Sequence, residues 1–162
     1  MTVRTEMRIA VPLRNVDHKA TEAHYGKVVL RMSAAAPLRI LIIEDELANT
    51  ELLRASLDAL GDPFLRSSSI EAASSLAEGR AALAANPFDL LLLDMWLPDG
   101  DGLSLAREVW EQGAGRPLIV VISGSAQPAE RLAALAVADE FLLKPFEPAS
   151  LVATINRLAH RP

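Results

Sequence analysis

Three uninterrupted apolar runs, Ile40–Ile43, Leu90–Leu93 and Leu118–Ile122, constrain this chain more than any other feature. Each is four or five residues long, too short for an ordinary helix, and each ends at a polar side chain: Glu44, Asp94 and Ser123. A strand sends successive side chains to opposite faces, so a strand with no polar member has no face to offer to water. Such strands occur in parallel sheets covered by helices on both sides. The intervening sequence supplies the helices. Leu53, Leu57 and Leu60 recur at helical spacing up to Gly61. Ser75-Leu76-Ala77-Glu78 has the form of a capping box opening a helix through Leu83, stopped at Asn86-Pro87. Further helices are expected from Leu103 to about Gln112, from Pro128 to about Ala136, and after Pro148 with Leu151, Ile155 and Leu158 on one face. Two weaker strands, around Ser68, Ile70 and Ala72 and at Phe141–Leu143, complete five strands alternating with five helices. The expected class is therefore α/β, a doubly wound parallel sheet.

In such sheets ligands bind beyond the carboxyl ends of the strands. Glu44-Asp45 follow the first strand, Asp94 the third, Ser123 the fourth and Lys144 the fifth. Taken singly, each has a plainer reading: Asp94 as a turn former or helix cap, Glu44-Asp45-Glu46 as a solvated loop, Ser123 as a cap, Lys144 as a surface charge. Their joint placement at four strand ends points to one site. Three carboxylates at one rim repel each other and call for a hard cation with oxygen ligands; Mg²⁺, which keeps some of its waters and accepts one or two carboxylates plus a phosphate, fits best. A lysine and a hydroxyl aimed at the same place supply what a transferring phosphoryl group needs, and an aspartate can be its nucleophile.

Charge patterning agrees. The net charge of −5 divides into +3 over residues 1–31 and −8 over residues 32–162. Thirteen of the sixteen basic residues are arginine, and beyond residue 31 the only lysine is Lys144, as if an ammonium were required there. An acidic body argues against direct nucleic-acid binding, which depends on neutralising phosphates. No apolar run approaches membrane-spanning length and none in the first thirty residues resembles a signal peptide, so the expected location is cytoplasmic. The absence of cysteine excludes disulfides, thiolate zinc sites and cysteine nucleophiles.

The motifs Ile42-Ile43-Glu44-Asp45-Glu46, Leu91-Leu92-Leu93-Asp94, Leu97-Pro98-Asp99-Gly100-Asp101-Gly102, Ile122-Ser123-Gly124 and Phe141-Leu142-Leu143-Lys144-Pro145-Phe146 together resemble the receiver domain of bacterial response regulators. The resemblance covers residues 38–160 and implies a flavodoxin-like (βα)5 fold with strand order 2-1-3-4-5. It implies that Asp94 accepts a phosphoryl group from a sensor histidine kinase or a histidine phosphotransfer protein. Asp45, Asp94 and the Trp96 backbone carbonyl would bind Mg²⁺ directly, and Glu44 through water. Ser123 and Lys144 would contact the phosphoryl oxygens. Phe141 would be the switch aromatic, a role set beside that of an ordinary strand residue. The Lys144-Pro145 bond is expected to be cis. The protein would then be a stand-alone receiver rather than an enzyme acting on a separate substrate, signalling to an unknown downstream protein without direct contact to nucleic acid or membrane, as a monomer or a phosphorylation-promoted dimer. A receiver-like module independent of phosphorylation and an aspartate-nucleophile phosphatase are the rival readings; the latter expects a second acid two residues after the nucleophile, where Trp96 stands.

The chain departs from the family pattern at Glu44, longer by a methylene than the commoner aspartate, at Trp96, a bulky side chain beside the path of attacking water, and at Val137, where glycine is frequent. The stretch between Gly61 and Ile70 is longer than usual and is expected to form an enlarged loop. Residues 1–37 are expected to be a basic, flexible extension, and the ordinary start-like sequence at Met32 offers an alternative origin of translation.

Overall fold

The structure, a computed structural model, describes residues 37–60, 63–125 and 127–159. Apart from Pro37, the expected N-terminal extension and the alternative start at Met32 lie outside the described residues. The elements run β1 (Arg39–Ile43), α1 (Leu47–Leu60), α2 (Pro63–Arg66), β2 (Ser69–Ala73), α3 (Leu76–Ala85), β3 (Leu90–Asp94), β4 (Trp96–Leu97), β5 (Gly100–Asp101), α4 (Gly102–Trp110), β6 (Leu118–Ser123), α5 (Pro128–Leu135), β7 (Glu140–Leu143) and α6 (Pro148–Ala159). Five strands form one parallel sheet in the order β2-β1-β3-β6-β7, the flavodoxin-like arrangement. β4 and β5 form a separate two-residue antiparallel ladder.

The unbroken apolar runs have their expected explanation. Leu41, Ile43, Leu91, Leu93, Ile119 and Val121 face one layer, with Leu76 of α3, Leu103, Leu105, Ala106 and Val109 of α4 and Ala134 of α5. Ile40, Ile42, Leu90, Leu92, Leu118, Val120 and Ile122 face the other, packed on Leu53 and Leu57 of α1 and Leu151, Val152, Ile155 and Leu158 of α6. Each such side chain contributes about 1.5–3 kcal/mol on full burial, so the three central strands carry most of the core. The outer strand β2 is largely exposed, which is why its apolar signal is weak.

The sequence-based expectations need correction at several places. The long Gly61–Ile70 connection is not simply a loop: it holds the helical turn α2, whose Leu65 is fully buried in the α1–α6 layer. The Pro98-Asp99-Gly100-Asp101-Gly102 sequence reads as a tight turn, and the structure makes Pro98-Asp99 the turn of the β4–β5 hairpin leading into α4. The capping box at α3 is half formed. The Ser75 side chain accepts from the Glu78 amide at 3.2 Å, but the Glu78 carboxylate turns to the backbone and hydroxyl of Ser74 instead of returning to Ser75. α5 ends on a right-handed Ala136, and Val137 is buried in the core, so apolar burial takes the place of glycine's conformational freedom. No helix among the described residues is long and apolar enough to cross a membrane.

The far end of the sheet is closed by a buried ion pair. Arg116 meets Asp139 through two bonds of 2.7 and 2.9 Å and lies 3.9 Å above the Trp110 ring, while Asp139 also accepts from the Ile119 amide. This joins the starts of β6 and β7 and leaves their other ends to the site.

Gly102 fixes the route of the chain beyond β3. A Cβ there would stand 2.1 Å from the Asp94 carbonyl oxygen, and the Gly102 amide donates to the Met95 carbonyl at 2.8 Å. Gly102→Ala should therefore cost at least about 2 kcal/mol through backbone displacement. Gly124→Ala, with nothing within 4 Å of the added atom, should change stability by less than about 1 kcal/mol. Urea unfolding of the two variants measures the difference; equal losses would contradict the close approach at Gly102.

Candidate functional site

Parallel register brings the strand ends to a common edge. Ile43 pairs with Leu93, Asp94 with Ile122, and Ser123 with Leu143, so Glu44-Asp45, Asp94, Ser123 and Lys144 emerge together. Carboxylate oxygens of Glu44, Asp45 and Asp94 lie within 4.8 Å of one another. Glu44 and Asp94 are buried, whereas Asp45 is exposed. Among the described residues, no hydrogen bond engages the Asp45 carboxylate.

The Lys144 ammonium donates to both buried acids, to Glu44 Oε2 at 2.6 Å and to Asp94 Oδ2. Burial works against the lysine charge, but its hydrogen bonds to Asp94 and Glu44, with their negative charges, hold its pKa above the ordinary value. For Glu44 burial is the largest influence and raises the pKa. Bonds from Lys144 and Asn49 oppose the rise without cancelling it, and the neighbouring Asp94 charge adds to it. Asp94 is pinned at its other oxygen as well, with the Trp96 amide donating to Oδ1 at 2.9 Å.

Ser123 is fully buried at the end of β6, and its hydroxyl oxygen accepts from the Ser125 amide at 3.1 Å. Its carbonyl accepts from the Lys144 amide at 2.7 Å, so the two residues are joined through backbone rather than side chains. Phe141 lies two residues before Leu143 on the edge strand β7, half-buried against the core. Trp96 projects into solvent, 56% exposed, beside the carboxylate that its amide holds. The Lys144-Pro145 bond is cis, as expected.

Two contributors were not legible as site residues in the sequence. Asn49, on the first turn of α1, donates to Glu44 Oε1 at 3.0 Å and to Glu46 Oε2 at 2.9 Å, orienting the buried acid. Its position five residues after Glu44 is the one available signal. Asp99 reaches across to α3, accepting from the Leu76 and Ala77 amides at 2.8 and 2.9 Å. Nothing local in the sequence marks that contact.

The donor set suits a hard, oxygen-seeking cation: three carboxylates face one ammonium, and the exposed member, Asp45, opens the cluster to solvent. Residues 40–156 match the response regulator receiver domain family. The chain belongs to this family. It is 35% identical over 131 residues to Protein PetR of Rhodobacter capsulatus, covering 80% of this chain and 52% of PetR. It is 36% identical over 108 residues to the KDP operon transcriptional regulatory protein KdpE of Escherichia coli, covering 66% of this chain and 44% of KdpE. The chain thus spans about half the length of these curated relatives. The crystal structure of a two-component response regulator from Clostridium difficile matches with a TM-score of 0.67 at 27% identity, over 76% of this chain and 97% of that one.

Removing the ammonium should expose the cost of burying its partners. Lys144→Met is expected to destabilise the metal-free protein at pH 7 by about 2 kcal/mol, below the usual figure for a broken buried pair because the lysine side chain is 20% exposed. An acid whose folded pKa lies above its unfolded value binds its proton more tightly when folded, so stability rises as pH falls through that interval. Glu44 is such an acid, and losing the Lys144 bond, which lowers its pKa, raises it further in the variant than in the wild type, so the deficit should shrink on going from pH 7 to about pH 5. Urea unfolding at both pH values checks this; a pH-independent deficit would contradict it.

Proposed function

We propose that this receiver accepts a phosphoryl group on Asp94 from the phosphohistidine of a sensor histidine kinase or a histidine phosphotransfer protein. The observation that carries the reading is the Lys144 ammonium, bonded to Asp94 and Glu44 beside Asp45 within a receiver fold. Asp45, Asp94 and the Trp96 backbone carbonyl would hold Mg²⁺, with Glu44 acting through water. When bound, the ion would neutralise charge on the phosphoryl oxygens.

The chain's own residues then have definite tasks. An Asp94 carboxylate oxygen forms the bond to phosphorus as the phosphorus–nitrogen bond breaks, and the imidazole nitrogen leaves with the bonding pair. The Trp96 amide and the Lys144 ammonium hold the two Asp94 oxygens beforehand, so little reorientation is needed at the moment of attack. Lys144 then pairs with the phosphoryl oxygens. The Ser123 hydroxyl, an acceptor toward Ser125, keeps its own hydrogen to donate to them. Turning Ser123 inward would vacate space on the β7 side that Phe141 would fill. In this reading the protein is cytoplasmic, is not an enzyme beyond its own phosphorylation and dephosphorylation, and signals through contact with a downstream protein, as a monomer or a phosphorylation-promoted dimer.

With Mg²⁺ and acetyl phosphate, the wild-type chain should gain a phosphoryl adduct detectable by intact mass, and Asp94→Ala should not. An unmodified wild type would favour an interaction module independent of phosphorylation; continuous turnover of phosphate esters would favour a hydrolase. In this reading the Trp96 side chain, two residues after the acceptor, would border the path of attacking water, so Trp96→Asn should shorten the adduct lifetime several-fold. An unchanged lifetime would remove the indole from any protective role.

A further inference from the structure

The hairpin that follows the acceptor is too short to hold itself in place. It has two ladder pairs, Trp96 with Asp101 and Leu97 with Gly100, and isolated hairpins are marginal even when longer. One anchor is apolar: Leu97 is buried in the same core layer as Leu76. Bonds of Met95 with Gly102 and Ile122 hold the base of the hairpin, and a polar anchor holds its tip, where Asp99 accepts from the Leu76 and Ala77 amides. These amides are free because the helix's own capping residue, Ser75, serves Glu78 instead. The approach is tight: a Cβ at Gly100, whose φ is +148°, would lie 3.1 Å from Leu76 Cδ1.

We propose that Asp99 is a positioning residue for the acceptor: by tying the hairpin to the N-terminus of α3, it sets the place of the Trp96 amide that holds the Asp94 carboxylate. The path is continuous, from the α3 amides through Asp99 and the hairpin backbone to Trp96 N–H and Asp94 Oδ1. The two α3 amides also stabilise the ionised carboxylate, and hold the Asp99 pKa below its ordinary range. A cap needed only for helix stability could come from a neighbouring residue, as Ser75 does. A carboxylate delivered from more than twenty residues away additionally fixes two segments relative to each other.

The consequence for modification of Asp94 rests on the phosphoacceptor reading, whereas the consequence for the Trp96 amide does not. In the full chain, Asp99→Ala is compared with Ser75→Ala, which removes a cap from the same helix without touching the hairpin, and with Asp99→Asn, which keeps a neutral acceptor. Amide hydrogen exchange at Trp96 should accelerate by about tenfold in Asp99→Ala, corresponding to about 1.4 kcal/mol of local opening, and by less in Asp99→Asn. It should stay at the wild-type rate in Ser75→Ala. Adduct formation from acetyl phosphate and Mg²⁺ should slow several-fold in Asp99→Ala alone. Equal Trp96 exchange in Asp99→Ala and Ser75→Ala would overturn the proposal. An unmodified wild type would overturn the phosphoacceptor reading, and the Trp96 exchange would still decide the role of Asp99.

Discussion

The Lys144 ammonium makes the site possible, because it allows Glu44 and Asp94 to be buried side by side. A buried carboxylate without a partner is costly, and two together would repel as well. Bonded to both, the ammonium offsets that repulsion, and its own charge is secured in return. The position of Lys144 is in turn a consequence of the sheet. β7 must lie beside β6, with Leu143 opposite Ser123, for the lysine to emerge toward Asp94 on β3, two strands inward. The doubly covered hydrophobic sheet and the ion cluster are thus one construction, with core packing holding the strands in the register that the charges require.

Much of this was legible in the sequence because it depends on short-range pattern. Leu90–Leu93 has no polar member, and this alone places β3 inside a covered parallel sheet; Asp94 is then necessarily at a strand end. Lys144 stood out as the only lysine after residue 31. What escaped was held by contacts between distant segments. Phe64-Leu65 is an apolar pair in an otherwise polar connection, too short to show a period in the sequence, and Leu65 finds its burial against the α1–α6 layer. Gly102 looked like a turn glycine, but the Asp94 carbonyl excludes a side chain there. Asp99 likewise belonged to a recognisable turn, while its bonding partners lie on a helix more than twenty residues earlier. Val137 shows a substitution whose outcome depended on tertiary burial: it fills core space where a glycine would have offered only backbone freedom.

The two ends of the sheet treat buried charge in opposite ways, and the contrast bears on function. At the far end Arg116 and Asp139 neutralise each other one to one, bidentate and nearly inaccessible, with an aromatic ring over the guanidinium. That arrangement asks for nothing further. At the site three carboxylates lie together while the one ammonium bonds two of them, Asp45 faces solvent, and the Glu44 pKa stays raised even with Lys144 and Asn49 bonded to it. The excess negative charge is therefore only partly relieved by the protein. A hard cation would complete the neutralisation. In the phosphoacceptor reading a phosphoryl group, itself anionic, would need that cation beside it and would find the ammonium already in place.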